Sequence, residues 1–300
     1  LTAPPLDASS RRRSALAQAL VAAATFLVYA RTIGFPFVYD DAQLIVDNER
    51  IHSFRHVPSY FTSHEWASIR FMNESYYRPL TLLWYRLNHA LFGFDPRGFH
   101  VTTVLVHVGV TLVVYRIAER LVGRRAPAVA AALVFGLHPV HVECAAWAAA
   151  VVDPLVTLAV GAAFLCHLSW REGRGRTWLG AALALYACAM LAKEPGVVLP
   201  GLVFAEAWLR GEGSARERFF ASARVSAPYL PVAALYFVAR TLALGGFSHP
   251  PAPPDAGAVV RTLPAVLAFY GERLISPVGA SAFYDFGWVD AWTSPRRPSS

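Results

Sequence analysis

The chain has 300 residues, of which 55% are hydrophobic and only 16% charged, and a mean hydropathy of +0.39, whereas soluble domains run at roughly 45–50% apolar and 25% charged. This excludes an ordinary soluble domain and predicts an all-α, multi-pass transmembrane helical bundle. The formal charge of +7 does not point to nucleic acid, because the arginines fall between apolar segments and no basic stripe is interleaved with aromatics. Cys144, Cys166 and Cys188 lie one each in apolar segments, so neither a disulfide framework nor a metal-ligand spacing is expected.

A helix needs about 20 apolar residues to cross the hydrocarbon core. Residues 14–30, 98–115, 126–142 and 154–170 contain no Asp, Glu, Lys or Arg; 177–192 and 225–239 are slightly shorter, and 195–209 carries the single acid Glu206. These predict about seven spans, with a weaker candidate at 262–271. The first reads as a retained anchor rather than a cleaved signal peptide, since no small-residue cleavage site precedes a soluble domain. The expected organisation is a cytoplasmic tail over 1–13, a membrane domain over 14–275 that includes an extracytoplasmic loop at 34–97, and a polar segment over 276–300. With Leu1 in place of an initiator Met, the sequence is expected to be a fragment of a longer protein or to reflect an alternative start.

Basic residues in short loops mark the cytoplasmic side. Arg11, Arg12 and Arg13 precede the first span; Arg116, Arg120, Arg124 and Arg125 follow the second; Arg171, Arg174 and Arg176 follow the fourth; Arg210, Arg216, Arg218 and Arg224 follow the sixth. If each segment crosses once, all four groups share one side and the N-terminus is cytoplasmic. The other side receives residues 34–97, the turn HPVHVE at 138–143, the turn AKEPG at 192–196 and the stretch SHPPAPPD at 248–255. An Arg-rich, Ala-rich chain with Lys193 as its single lysine suggests a GC-rich genome, and hence a bacterial cytoplasmic membrane with the site facing outward. Within the long loop, VPSYFTSHEW and RPLTLLWYRLNHALFG are predicted as short amphipathic helices resting in the interface plane. In the second, Leu80, Leu83, Trp84, Leu87 and Leu91 form one apolar stripe, with Arg86 and Asn88 off it.

The segment GFPFVYDDAQLIVDN at 34–48 sets Asp40 and Asp41 side by side just past the first span. Such a pair either caps the next short helix or divides the work of a general base near the membrane surface, with Phe35, Phe37 and Tyr39 anchoring it at the interface. His138, Pro139, His141 and Glu143 form an HPxHxE turn. Imidazole and carboxylate are ordinary zinc ligands, but the spacing is not HExxH and Pro139 breaks the helix, which favours a rigid turn presenting His141 and Glu143 to the cavity of the aspartates. The acid pair suits a mechanism with or without a divalent metal. Lys193 either snorkels to the head groups or, beside Glu194 and the break at Pro195–Gly196, meets a phosphate near free backbone N–H groups. Arg78, just before Pro79, suits bidentate phosphate recognition or a lipid head-group contact. Asp153 ahead of Pro154 reads as a cap or a cavity-facing acid. His100 and His107 share one face of the second span, where core hydrogen bonding is their ordinary fate.

Taken in order, FVYDDAQLIVDN, YYRPLTLLWYRLNHALFG, FHVTTVLVHV, LVFGLHPVHVE, LAKEPGV and FYGERLISPVGASAFYDF resemble the transmembrane and tetratricopeptide-repeat O-mannosyltransferases and their bacterial relatives, over most of residues 35–286. The resemblance implies a GT-C glycosyltransferase that moves a sugar, mannose favoured, from a polyprenyl-phosphate donor to a hydroxyl of a protein Ser/Thr, a glycan or a lipid on the extracytoplasmic side, with inversion. It assigns the acceptor base to Asp40 and Asp41, and substrate binding to Lys193, Glu194, His138, His141 and Glu143, with Arg78 and Asp153 beside them. Two departures stand out. Val151 occupies a position where relatives often carry Arg, and no tetratricopeptide repeats are present in the sequence. The readings from other classes are a polyprenyl-lipid flippase and a non-catalytic membrane scaffold. A one-sided polar cluster without an internal repeat argues against a flippase.

Overall fold

The computed structural model describes residues 8–68, 76–246 and 255–277, and every regular element among them is helical. Helix α1 (Ala8–Tyr29) runs on as a 3-10 turn to Gly34. Short turns and the single helical turn α2 (Val57–Tyr60) lead to α3 (Pro79–Phe92) and α4 (Pro96–Val122). There follow α5 (Arg125–Leu137), α6 (Val142–Ala146), α7 (Val152–Arg171), α8 (Arg176–Ala192), α9 (Leu199–Arg210), α10 (Ala215–Ser226), α11 (Leu230–Leu244) and α12 (Ala256–Ile275). The boundaries follow local chemistry. Proline sits in the first turn of α3, α4, α9 and α11, where its missing N–H removes nothing. Gly123 closes α4 at a φ of 70°, and Ser214 with Glu217 opens α10 with a capping box.

Four helical stretches are long and apolar enough to cross a membrane: Arg12–Gly34, Pro96–Val122, Ala149–Arg171 and Ala215–Leu244. A fifth is possible in length if Arg125–Leu137 and Pro139–Ala146, bent by 47° at His138–Pro139, act together. Of the seven expected, the segments at 177–192 and 195–209 are not among these stretches, because an uncharged run counts residues whereas this length is needed in one continuous helix. Helix α8 has only 17 residues, and the 3-10 turn over Glu194–Val198 leaves α9 with 12. Helix α12 is not apolar enough to join them.

The two ends of the bundle differ. At one, Ser14 of α1 lies 3.2 Å from the hydroxyl of Tyr115 on α4, and Arg120 donates to the Leu165 carbonyl (3.0 Å) and the Ser169 hydroxyl (2.9 Å) of α7. The arginine clusters of the loops after α4 and α7 sit here. At the other, Tyr29 donates to the His138 carbonyl (3.3 Å), and Thr81 of α3 donates to the Ala192 carbonyl of α8 (3.1 Å). Between the ends, α1, α4 and α5 meet at Gly136, where an added Cβ would lie 2.6 Å from Thr111 Cγ2 and 2.7 Å from Thr25 Oγ1. Small residues permit such close helix approach in a membrane. The Gly136 carbonyl accepts from His107 Nε2 (3.1 Å), and His100 is also fully buried, so both histidines belong to the core.

The long loop is a folded layer on the second end. Of VPSYFTSHEW only Val57–Tyr60 is helical, and the Arg50 guanidinium gathers the segment by donating to the carbonyls of Ser59 (2.9 Å) and His64 (2.8 Å). Helix α3 forms as expected, but the face it turns to the protein is Thr81, Leu82, Tyr85, Arg86 and Asn88, all buried, while Leu87 and Leu91 of the apolar stripe are exposed. Arg86 donates to the Ile51 carbonyl (2.9 Å).

Candidate functional site

The adjacent aspartates are separated by the fold into different environments. Asp41 is fully buried, and each of its oxygens accepts a backbone N–H: Oδ2 from Val38 (3.0 Å) and Oδ1 from Ala149 (2.7 Å). The Ala149 carbonyl accepts in turn from Tyr85 (3.0 Å). Asp41 therefore ties the loop to the turn before α7 and to α3, rather than capping the turn that follows it. Burial pushes its carboxyl up to about 6 against the pull of those two N–H groups. Asp40 remains partly exposed. The residue before it, Tyr39, has a φ of 48°, a left-handed backbone that is unusual for a bulky side chain. Its ring packs edge-on against Trp147 at 6.0 Å. Phe35 and Phe37 meet His100 (6.5 Å) and Phe99 (5.4 Å). The three aromatics thus fasten the acid segment to α4 and the α6–α7 turn, with Phe35 and Tyr39 still partly exposed.

Arg78 stands immediately before α3, stacked on the Tyr76 ring at 4.0 Å. Its Nη1 faces Glu65 Oε2 (3.5 Å) and its Nη2 faces Glu194 Oε2 (3.4 Å). Glu65 was not singled out in the sequence, since nothing in HEW shows that the chain doubles back, with the Glu65 N–H donating to the Tyr76 carbonyl (2.7 Å). It is 2% exposed. Burial pushes its carboxyl up to about 7; Arg78 and Lys193 pull it down, while Glu194 and Asp40 push it further up. Asp40, Glu65, Arg78, Lys193 and Glu194 therefore share one electrostatic neighbourhood.

Lys193, extended between α8 and the Glu194–Val198 turn, bonds Asp153 Oδ1 at 2.5 Å. This pair replaces both the snorkelling lysine and the capping aspartate of the sequence reading. Glu143 is exposed and within electrostatic reach of Asp153 and Lys193. The HPVHVE turn is split, however. His138 accepts from the Val140 N–H at Nδ1 (3.1 Å) and directs Nε2 to the Leu274 carbonyl of α12 (3.1 Å). His141 packs on Phe135 (4.3 Å) and His107 (5.5 Å). Only Glu143 of that turn joins the acid-base cluster, so the expected presentation of His141 with it is not observed. Among the described residues no three His, Cys, Asp or Glu side chains converge as a metal-ligand set.

The turn carrying Lys193 and Glu194 is pressed onto α8 by Gly196, where an added Cβ would lie 2.9 Å from the Ala189 carbonyl carbon and 3.0 Å from its oxygen. Neither backbone atom can swing aside. Gly196→Ala is expected to cost about 1–3 kcal/mol through overpacking and to displace the Lys193–Asp153 pair. A lowered melting temperature in detergent checks this; an unchanged melt would show that the turn yields freely.

The profile of the family described as dolichyl-phosphate-mannose-protein mannosyltransferase matches residues 78–242. Protein O-mannosyl-transferase TMTC4 of Homo sapiens is 34% identical over 209 residues, covering 62% of this chain and 28% of the relative. Protein O-mannosyl-transferase Tmtc2 of Drosophila melanogaster is 35% identical over 184 residues, covering 57% and 19%. For protein O-mannosyl-transferase TMTC1 of Homo sapiens the identity is 34% over 212 residues, covering 64% and 24%. The chain thus spans about a quarter of the length of these relatives or less. No solved structure matches it significantly. The matched stretch contains Arg78, Glu143, Asp153, Lys193 and Glu194 and exceeds half of the sequence, and the chain belongs to the dolichyl-phosphate-mannose-protein mannosyltransferase family.

Proposed function

We propose that this chain is a membrane glycosyltransferase of GT-C type, moving a sugar, mannose favoured, from a polyprenyl-phosphate donor to a hydroxyl acceptor with inversion. The observation that carries the reading is the division of the acid pair, with Asp40 partly exposed and Asp41 buried, beside two cations paired with carboxylates. Asp40 takes the proton of the acceptor hydroxyl as its oxygen attacks the anomeric carbon. The bond from that carbon to the phosphate oxygen breaks, and the lipid phosphate leaves with the electron pair. Arg78 and Lys193 offset the charge gathering on that phosphate, an effect that is strongest where water is scarce. Asp153 and Glu194 hold the cations, and Glu143 lines the approach.

The site is proposed to face the extracytoplasmic side, since the arginine clusters lie at the other end and basic loops stay cytoplasmic. The N-terminus would then be cytoplasmic, and the membrane is proposed to be the inner membrane of a bacterium. A protein acceptor accords with the names of the relatives, and a Ser/Thr hydroxyl is proposed as its reacting group. The test is transfer of labelled sugar from a synthetic polyprenyl-phosphate mannose by purified protein in proteoliposomes. Labelled product would support the reading. Donor binding without product for peptide, glycan and lipid acceptors would overturn the transferase activity of this chain on its own, and transbilayer movement of the donor would replace it with a flippase.

A further inference from the structure

Arg78 is surrounded by acceptors yet tightly held by none. Its two contacts with carboxylates are 3.4 and 3.5 Å long, against about 2.7–2.9 Å for a well-made charged hydrogen bond. Its buried Nε has no partner, and neither does the buried Oε1 of Glu194. Glu65, by contrast, is fixed from behind. Its N–H donates to Tyr76, and Arg50 donates to the carbonyls of His64 and Glu65. A rigid buried carboxylate thus backs a guanidinium whose donors are under-used, in the geometry that would release it to a better acceptor. Resting on the donor reading above, we infer that Glu65 is the positioning residue of the donor site, setting the place of Arg78 and taking up a proton when a phosphodiester claims that arginine.

The charge balance supports this. Glu65 faces Arg78 and Tyr85 of the α3 region, Lys193 and Glu194 of the turn after α8, Asp40 of the acid segment and Arg50 of its own loop. Its carboxyl already sits near 7 before any ligand arrives. A phosphodiester adds one negative charge and diverts Arg78, and both changes favour the neutral acid. Proton uptake on binding means that affinity is greatest below the free-state value and falls as pH rises through it.

The experiment is calorimetric binding of a short-chain prenyl-phosphate mannose to the whole chain in detergent between about pH 6 and pH 8.5. The probe is a diester, so its own charge is constant in that window. For the wild type, affinity should fall with pH by up to about tenfold per unit, with protons taken up in buffers of different ionisation enthalpy. Glu65→Gln mimics the neutral acid and should bind independently of pH, with affinity near the low-pH wild type. Glu65→Asp should restore a slope. A flat wild-type profile, a slope that survives in Glu65→Gln, or loss of binding in a folded Glu65→Gln would each overturn the inference while leaving the donor site in place. Absence of wild-type binding at every pH would overturn the donor reading and this inference with it.

Discussion

Asp40→Asn is expected to lower sugar transfer by about 10²- to 10⁴-fold, the range that a general base contributes, with no change in melting temperature. Asn keeps the size and one acceptor oxygen of the partly exposed side chain but cannot take the acceptor proton. Asp41→Asn should behave differently. Both Asp41 oxygens accept backbone N–H groups inside the protein, and the new amide NH2 would oppose one of those donors, at about 1–3 kcal/mol for a buried unsatisfied group. Transfer and melting temperature should fall together for Asp41, and transfer alone for Asp40. A purified Asp41→Asn protein that melts normally but is inactive, beside an active Asp40→Asn, would exchange the two roles.

The helices were legible where a single property decides them. Uncharged runs located them, prolines marked the starts of α3, α4, α9 and α11, and the arginines identified one end. Span count was less legible, because the break at Pro195–Gly196 and the bend at Pro139 interrupt runs that composition leaves whole. Periodicity found the apolar stripe of α3 but not the neighbour it faces. Leu83 and Trp84 of the stripe pack against the core while Leu87 and Leu91 stay exposed, and Arg86 turns inward to a buried carbonyl at Ile51 that needs a donor.

In the site, residue types were legible and pairings were not. Asp40 and Asp41 are indistinguishable in sequence, and the hydrogen bonds that separate them come from Val38 and from Ala149, 108 residues away. Lys193 and Asp153 were both visible as isolated charges next to apolar runs, yet their pairing depends on the packing of α7 against α8, across 40 residues. His138 and His141 looked like Glu143 in setting. They part from it because the bend at Pro139 turns their rings toward α4, α5 and α12.

Arg78→Leu should abolish detectable donor binding and destabilise the protein by about 3 kcal/mol above pH 7, the lower end of the cost of stranding a buried charge. Glu65, at 2% exposure, would lose its nearest cation. The sign with pH follows from the raised carboxyl. Below about 7 Glu65 is already protonated in the folded state, so there is no charge to strand and the loss should shrink; it should grow as pH rises and the anion is demanded. Glu65→Gln combined with Arg78→Leu removes that anion and should recover most of the stability without recovering binding. Arg78→Lys makes the complementary test. A lysine keeps the charge but is a point donor that cannot fork between Glu65 and Glu194, so it should melt near the wild type and bind the donor about 10- to 10²-fold more weakly, the worth of one lost hydrogen bond to a charged group. Should the double variant bind the donor as the wild type does, Arg78 would be a structural counter-ion of Glu65 only, leaving Lys193 to meet the phosphate.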